Sequence, residues 1–333
     1  MGRGAARVTD AFLDAHGFGA AARAALPGDA SGRRYTRLLG GPDPALLMES
    51  PEPVAPFVAV ARHIASLGLS APRILAEDAA QGLLLIEDFG DATHAALLDA
   101  DAVPGALYAE AVAALAVLHE APPHAGLPAW DAAAMARATA ATFLDWWWPE
   151  ALGRPPSTAQ RAGLDQALHA VLAPFAAQGF VHRDYFPANL MRLEDRDGAR
   201  RCGIIDFQDA ALGHPAYDLV SLLEDARRDV APGLRAAMVG EYLARRRGLD
   251  QADFRAAMAV CAAQRHLRVA ALWVRLDRRD GKPHYLVHGP RCWALLEAAL
   301  AHPATRPLRE FLDAHVPRER RGNPAGAAER DEA

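Results

Sequence analysis

The stretch "FVHRDYFPANLMRL", residues 180–193, decides how the chain is read. It opens and closes on apolar residues, yet it holds His182, Arg183, Asp184 and Asn189, with Asp184 and Asn189 five positions apart. Seventeen residues beyond Asn189, "GIIDFQDA" (203–210) sets Asp206 directly after an apolar run. A carboxylate at a strand end and an amide in a loop are oxygen donors suited to a hard divalent cation. The pieces "NLMRLE" (189–194) and "RCGIIDF" (201–207) read as two short strands. The polar, Gly-containing "DRDGAR" (195–200) between them reads as a hairpin turn. The competing reading makes Asp184 and Asn189 turn formers and Asp206 a strand-end cap.

Outward from this core, the N-terminal part shows short apolar runs broken by turn signals: "RYTRLLG" (34–40), "ALLMES" (45–50) and "LLLIEDFG" (83–90). A helical segment, "PFVAVARHIASLGL" (56–69), lies between the second and third. After Asp91 the pattern turns to long Ala/Leu-rich helices. In "YAEAVAALAVLHE" (108–120), Val112, Leu115, Leu118 and His119 share one face. The expected organisation is therefore α+β: residues 1–90 a small antiparallel sheet carrying one helix, and residues 91–316 a larger, mostly helical lobe. The stretch "PRERRGNPAGAAERDEA" (317–333) lacks apolar periodicity and is expected to be disordered.

Composition narrows the function. The 36 basic and 41 acidic residues give a net charge of −5 and a pI near 6.2, which offers no broad cationic face to nucleic acid. Cys202, Cys261 and Cys292 fit no zinc or disulfide spacing and read as buried thiols. No segment reaches the roughly 20 apolar residues of a membrane span, and the opening lacks an uninterrupted apolar signal region, so a cytoplasmic protein is expected. The expected partner is a small molecule, and the expected state a monomer.

The pattern His182-x-Asp184-x-x-x-x-Asn189, followed by strand-borne Asp206, resembles the catalytic loop and metal-binding Asp of the protein-kinase-like superfamily. Phosphoryl transfer needs a metal to neutralise phosphate charge and a carboxylate to address the acceptor, and little covalent chemistry. A protein substrate would require a long segment after the metal-binding Asp. Here only nine positions separate Asp206 from Pro215, and the chain runs into "AYDLVSLLEDA" (216–226), a helix with Asp218 as its expected N-cap. A small-molecule acceptor follows.

Taken with "DASGRRYTRL" (29–38), "LLMESPEP" (46–53), "IIDFQDAALGHPAYDLVSLL" (204–223) and "LRVAALWVRLDRRDGKPHYLVHGPR" (267–291), the chain resembles the aminoglycoside phosphotransferase family. Within it, the likeness is to the anomeric kinases of N-acetylmuramate and N-acetylglucosamine. That resemblance implies a two-lobed protein-kinase-like fold, ATP and Mg²⁺ as cofactors, and an amino-sugar substrate phosphorylated on its C1 hydroxyl. It also implies Asp184 as the group that addresses the acceptor, with Asn189 and Asp206 as metal ligands. A kinase for an aminoglycoside, choline or another sugar is the alternative.

Kinases of this superfamily carry a strand lysine where this chain has Met48, and the sole lysine is the distant Lys282. Either Arg33 or Arg34 supplies the cation, with Ser31 and Gly32 of the same loop meeting phosphate through backbone amides, or the protein binds nucleotide without turnover. The backbone of Glu87 and Phe89 is expected to meet adenine. For the acceptor, "CAAQRHLRVAALWVRL" (261–276) places Arg265 and Arg268 three apart on one side, suited to a carboxylate, although a solvated basic face reads equally well. "FLDWWWPEALG" (143–153) offers Asp145 and Trp146 as a sugar-binding wall, with at least one of its three indoles in the core, and Asp209 lies within reach of a sugar hydroxyl.

Overall fold

A computed structural model describes residues 3–27, 32–176 and 178–324. Its regular elements in chain order are α1 (Arg3–Ala15), β1 (Ala22–Ala25), β2 (Arg34–Leu39), β3 (Ala45–Glu49), α2 (Ala55–Ser66), β4 (Ile74–Asp78), β5 (Leu83–Glu87), α3 (His94–Asp99) and α4 (Pro104–Glu120). They continue through α5 (Ala132–Thr142), α6 (Trp148–Leu152), α7 (Thr158–Leu172), β6 (Gly179–Val181), β7 (Leu190–Arg192), β8 (Cys202–Ile204) and β9 (Ala211–Gly213). The remaining helices are α8 (Ala216–Leu223), α9 (Pro232–Arg245), α10 (Gln251–Asp280), α11 (Gly289–Leu300) and α12 (Arg306–His315).

Packing groups the chain into two units. One comprises the residues up to His124 together with Pro187–Asp209, and the other comprises Ala125–Phe186 and the residues from Ala210 onward. The change from strands to helices near Gly90 is therefore not where packing divides the chain. Helices α3 and α4 belong with the sheet because α3 joins the β7–β8 hairpin: Thr93 bridges to Met191, and the Arg192 amide donates to the Ala92 carbonyl at 2.8 Å.

In the first unit, five antiparallel strands run in the order β1-β2-β3-β5-β4. The period-2 alternation of β2, β3 and β5 separates two faces. Leu38, Leu47, Leu83 and Leu85 form a core with Phe12 and Leu13 of α1 and with Phe18. Withdrawing each such side chain from water contributes roughly 1.5–3 kcal/mol. The opposite face carries Tyr35, Leu46, Met48 and Ile86 in register, Tyr35 beside Met48 and Leu46 beside Ile86. The sheet thus bears a helix beyond the single one expected, and gains β1 and β4, whose sequences lack the β-branched apolar runs that mark a strand. The β7–β8 connection also differs from a tight turn: it includes a 3₁₀ turn over Gly198–Arg201.

The second unit is mostly helical. Its longest element, α10, is capped by the Asp250 carboxylate, which accepts the Asp253 amide at 2.9 Å, and ends at Gly281 in the left-handed conformation. A π-helical turn over Phe143–Trp147 precedes α6 and lets the adjacent indoles Trp147 and Trp148 both enter the core. Trp147 stacks on Phe143, and Trp148 meets the same ring edge-on.

The expected disorder from Pro317 is corrected for residues 317–324. The Arg321 side chain is 3% exposed and pairs with Glu297 at 2.9 Å and Asp313 at 2.6 Å. Gly322 accepts the Trp147 indole N–H at 2.8 Å, and Asn323 donates to the Leu286 carbonyl. These anchors are polar, so they leave no hydrophobic period in the sequence. Residues 325–333 lie outside the described residues. Among the described residues Cys202, Cys261 and Cys292 are buried and form no disulfide, and no helix is long and apolar enough to cross a membrane.

Candidate active site

The first unit brings four of the expected residues to one cavity of about 330 Å³: Glu87, Phe89, Asn189 and Asp206. Asn189 closes a 3₁₀ turn ahead of β7, and Asp206 follows β8, so the hairpin sets the two side by side. Asn189 Nδ2 donates to Asp206 Oδ2 at 3.2 Å, and Gln208 Nε2 donates to Asp206 Oδ1 at 2.7 Å. The backbone holds the same pairing through the Ile205 amide, which donates to the Asn189 carbonyl at 3.2 Å. Asp206 itself has φ +60°, a conformation that costs a non-glycine residue free energy and that its surroundings must enforce. The carboxylate of Asp206 and the amide oxygen of Asn189, presented on rotation of that amide, fit Mg²⁺. Among the described residues no three His, Cys, Asp or Glu side chains converge to hold a metal, so the remaining ligands would be phosphate oxygens and water.

The wall formed by Glu87–Gly90 is tightly prepared. Glu87 is engaged by Arg73 and Arg196, and its amide donates to the Arg73 carbonyl at 2.9 Å. The Phe89 ring lies so close to Gly203 that a Cβ there would sit 2.9 Å from it, and the Arg196 guanidinium stands over the ring, 5.0 Å from its centroid. A side chain at position 203 would displace this wall.

Neither arginine expected to supply the cation lines this cavity. Arg33 pairs with Glu52 at 3.1 Å, and Arg34 lies near Glu49 across the β2–β3 ladder at 3.7 Å. Alternation turns Arg34 to the face opposite Tyr35, where with Gly32 it lines a separate depression. Ser31 lies outside the described residues. Met48 is fully buried on the cavity side of β3. The basic residue that lines the cavity is Arg37, three positions beyond Arg34. Its guanidinium hydrogen-bonds both oxygens of Asp88 and both of Asp91, two of these bonds at 2.9 Å. Those bonds, Asp91 first and Asp88 second, push its pKa up. The sequence signal was available in the "R…EDFGD" pairing, but only strand register shows that Arg37 meets that segment.

In the second unit, Asp184 sits on a loop secured from below. Asp218 is not the N-cap expected: Pro215 takes that place, and Asp218 is fully buried in the first turn of α8. Its carboxylate accepts the amides of His182 at 2.6 Å and Arg183 at 2.9 Å. An acid amid the apolar run "AYDLVSLL" was the available clue, since a buried carboxylate must be matched by donors. Arg183, at φ +76°, lays its guanidinium over the Trp130 ring at 4.0 Å. His182 is buried and meets the Tyr185 ring edge-on. The Arg268 guanidinium is attracted to Asp184, donates to the Tyr217 hydroxyl at 3.4 Å, and lies 6.0 Å from the same Trp130 ring.

The other acceptor residues are dispersed. Arg265 is buried, and its Nη2 donates to Ser221 at 2.8 Å, so it faces α8 rather than solvent. Asp145 is exposed and pairs with Arg161 at 2.8 Å. Trp146 is half-buried, and neither residue has a hydrogen bond, ion pair or ring contact with the residues around Asp184. Asp209 is exposed in the first unit.

Comparison with known proteins places these residues in context. Residues 23–255 match the phosphotransferase enzyme family. An N-acetylmuramate/N-acetylglucosamine kinase of Caulobacter vibrioides is 37% identical, covering 93% of this chain and 96% of that protein. A kinase of the same name from Pseudomonas putida is 34% identical over 86% of each. A solved choline/ethanolamine kinase family protein from Mesorhizobium loti superposes with a TM-score of 0.62 at 16% identity, covering 93% of this chain and 99% of that one. That likeness carries the fold, which is α+β and protein-kinase-like.

Proposed function

The chain belongs to the phosphotransferase enzyme family, and from that premise we propose that it uses ATP to phosphorylate the anomeric hydroxyl of N-acetylmuramate or N-acetylglucosamine. The relatives support an amino-sugar acceptor by name. The observation that carries the reading on this chain is the sign of the charge beside Asp184, where the guanidinium of Arg268 stands. A polycationic aminoglycoside or a choline cation would meet repulsion there, whereas a neutral or acidic sugar does not.

In this reading adenine lies against the Glu87–Gly90 wall, and the Phe89 amide, which makes no hydrogen bond among the described residues, is its donor. Asn189 and Asp206 hold Mg²⁺, which when bound neutralises charge on the phosphates. Asp184 orients the acceptor hydroxyl and takes its proton as the oxygen attacks phosphorus. An anomeric hydroxyl is more acidic than an ordinary alcohol, so a carboxylate of modest basicity suffices. The reaction belongs in the cytoplasm, where ATP is available, and needs no partner beyond its small-molecule substrates.

The test is turnover of purified protein with ATP and Mg²⁺ on N-acetylmuramate, N-acetylglucosamine, kanamycin and choline, with the product identified by phosphorus NMR. A sugar 1-phosphate from either amino sugar is expected, and Asp184→Asn should reduce its rate by about 10²–10⁴-fold. Turnover confined to kanamycin or choline would overturn the acceptor. Nucleotide binding without any turnover would point to a regulatory module, the reading that the buried Met48 otherwise favours.

A further inference from the structure

Helix α10 carries arginines that enter the second unit without a matching acid. Among the described residues Arg275 makes no ion pair, although it is half-buried and its Nε is enclosed without an acceptor. The acids near this end of the helix are engaged elsewhere: Asp280 accepts two hydrogen bonds from Arg279, and Glu150 pairs with Arg278 at 2.6 Å. Burial first, and the neighbouring guanidiniums of Arg279 and Arg268 next, push the Arg275 pKa down despite attraction from Asp280. Arg268 and Arg275 are seven residues apart, two helical turns, and so share a face.

Another guanidinium stands by an aromatic ring of the same loop. Arg227, in the segment after α8, makes no ion pair among the described residues and lies 4.8 Å from the Phe186 ring and 5.2 Å from the Trp273 ring. Trp273 belongs to α10 and stacks on Tyr285 at 5.3 Å, nearly parallel. Phe186 is two residues beyond Asp184, and Arg183, the residue before it, shares the Trp130 ring with Arg268. Asp184 is thus bracketed in the chain by residues whose aromatic platforms each hold a guanidinium.

We propose that Arg268 and Arg275 form an anion subsite for the carboxylate of an acidic acceptor, and that Arg275 sets the preference for the lactyl-bearing sugar over its neutral counterpart. This rests on the amino-sugar kinase reading. An arginine fork matches a carboxylate through two parallel hydrogen bonds, and a partly desolvated guanidinium without an acid gains most from acquiring one. The assignment moves the role away from Arg265, which is occupied by Ser221.

The test compares kcat/KM for N-acetylmuramate, its methyl ester and N-acetylglucosamine in the unaltered protein, in R275M and in R227M, the last replacing an exposed arginine that meets α10 at Trp273, away from the face of Arg268 and Arg275. The ester keeps the shape of the arm and removes its charge. The unaltered protein should prefer the acid over the ester by about tenfold or more, as loss of a charge-assisted hydrogen bond implies. R275M should shrink that preference to threefold or less, with the change in KM, and R227M should keep it, while continued turnover of N-acetylglucosamine reports an intact fold. An unaltered preference in R275M, an equal loss of preference in R227M, or no preference in the parent protein overturns the subsite alone. Absence of turnover on all three sugars in the parent protein overturns the amino-sugar reading itself.

Discussion

The Asp218 carboxylate accepts the His182 amide at 2.6 Å, so the loop bearing Asp184 hangs from the first turn of α8. The Arg183 amide makes the second bond to the same group. Replacing Asp218 by Ala would leave two amides without their acceptor and should cost about 2–5 kcal/mol of stability. Asp218→Asn keeps one acceptor oxygen and should fall between. Urea unfolding measures both; an Ala variant whose midpoint matches the parent's would remove Asp218 as the loop's support. Turnover should drop further than stability accounts for, because the Asp184 loop loses its position.

The Asn189–Asp206 pair predicts a metal-dependent loss. Asp206→Asn removes the formal charge while keeping the volume, and should lower kcat by about 10²–10³-fold, the scale of losing one preorganised electrostatic contact. A Mg²⁺ titration of turnover is the measurement. Because Asp206 sits at φ +60°, Asp206→Gly should relieve strain and leave the protein no less stable by thermal unfolding while abolishing activity.

Arg37 joins β2 to the segment that follows β5 through hydrogen bonds to Asp88 and Asp91. Lysine has a single point charge and cannot reproduce these paired bonds. Arg37→Lys should cost about 1–2 kcal/mol and raise KM for ATP more than it lowers kcat. Equal kinetic constants for the variant and the parent would show that the clamp does not shape the nucleotide wall.

His94 opens α3 beside the β7–β8 hairpin, and among the described residues its buried Nε2 has no hydrogen-bond partner. Burial first, and Arg192 second, push its pKa down to about 4. Between the ordinary histidine value near 6.5 and about 4, the unfolded chain binds the proton and the folded one does not. Stability from this group is therefore complete above about pH 6.5 and is lost as pH falls toward 4, by about 3 kcal/mol in all. His94→Phe should flatten the dependence of the unfolding midpoint on pH across that window. An unchanged slope would assign the acid sensitivity to other groups.

Much of the site could be seen in the linear chain because its residues lie close together there. Asp184 and Asn189 share one short loop, and Asp206 follows the next strand, so spacing and apolar flanks were enough to name them as candidates. Arg37 and Asp218 were not found in this way. The first becomes a cavity residue through β2 register, and the second becomes a loop anchor by meeting amides 35 and 36 positions earlier in the chain.

By itself the sequence determined the α+β class, the apolar strands of the sheet, the loop proposed as catalytic and the likeness to phosphotransferases, because each is a local pattern of polarity or spacing. Tertiary structure alone decided which cation lines the first unit's cavity, that residues 317–324 are anchored, and that Arg265 turns inward while Arg275 makes no ion pair among the described residues. Those outcomes depend on which charges find partners. Pairing between distant side chains has no period along the chain and leaves no local trace in its sequence.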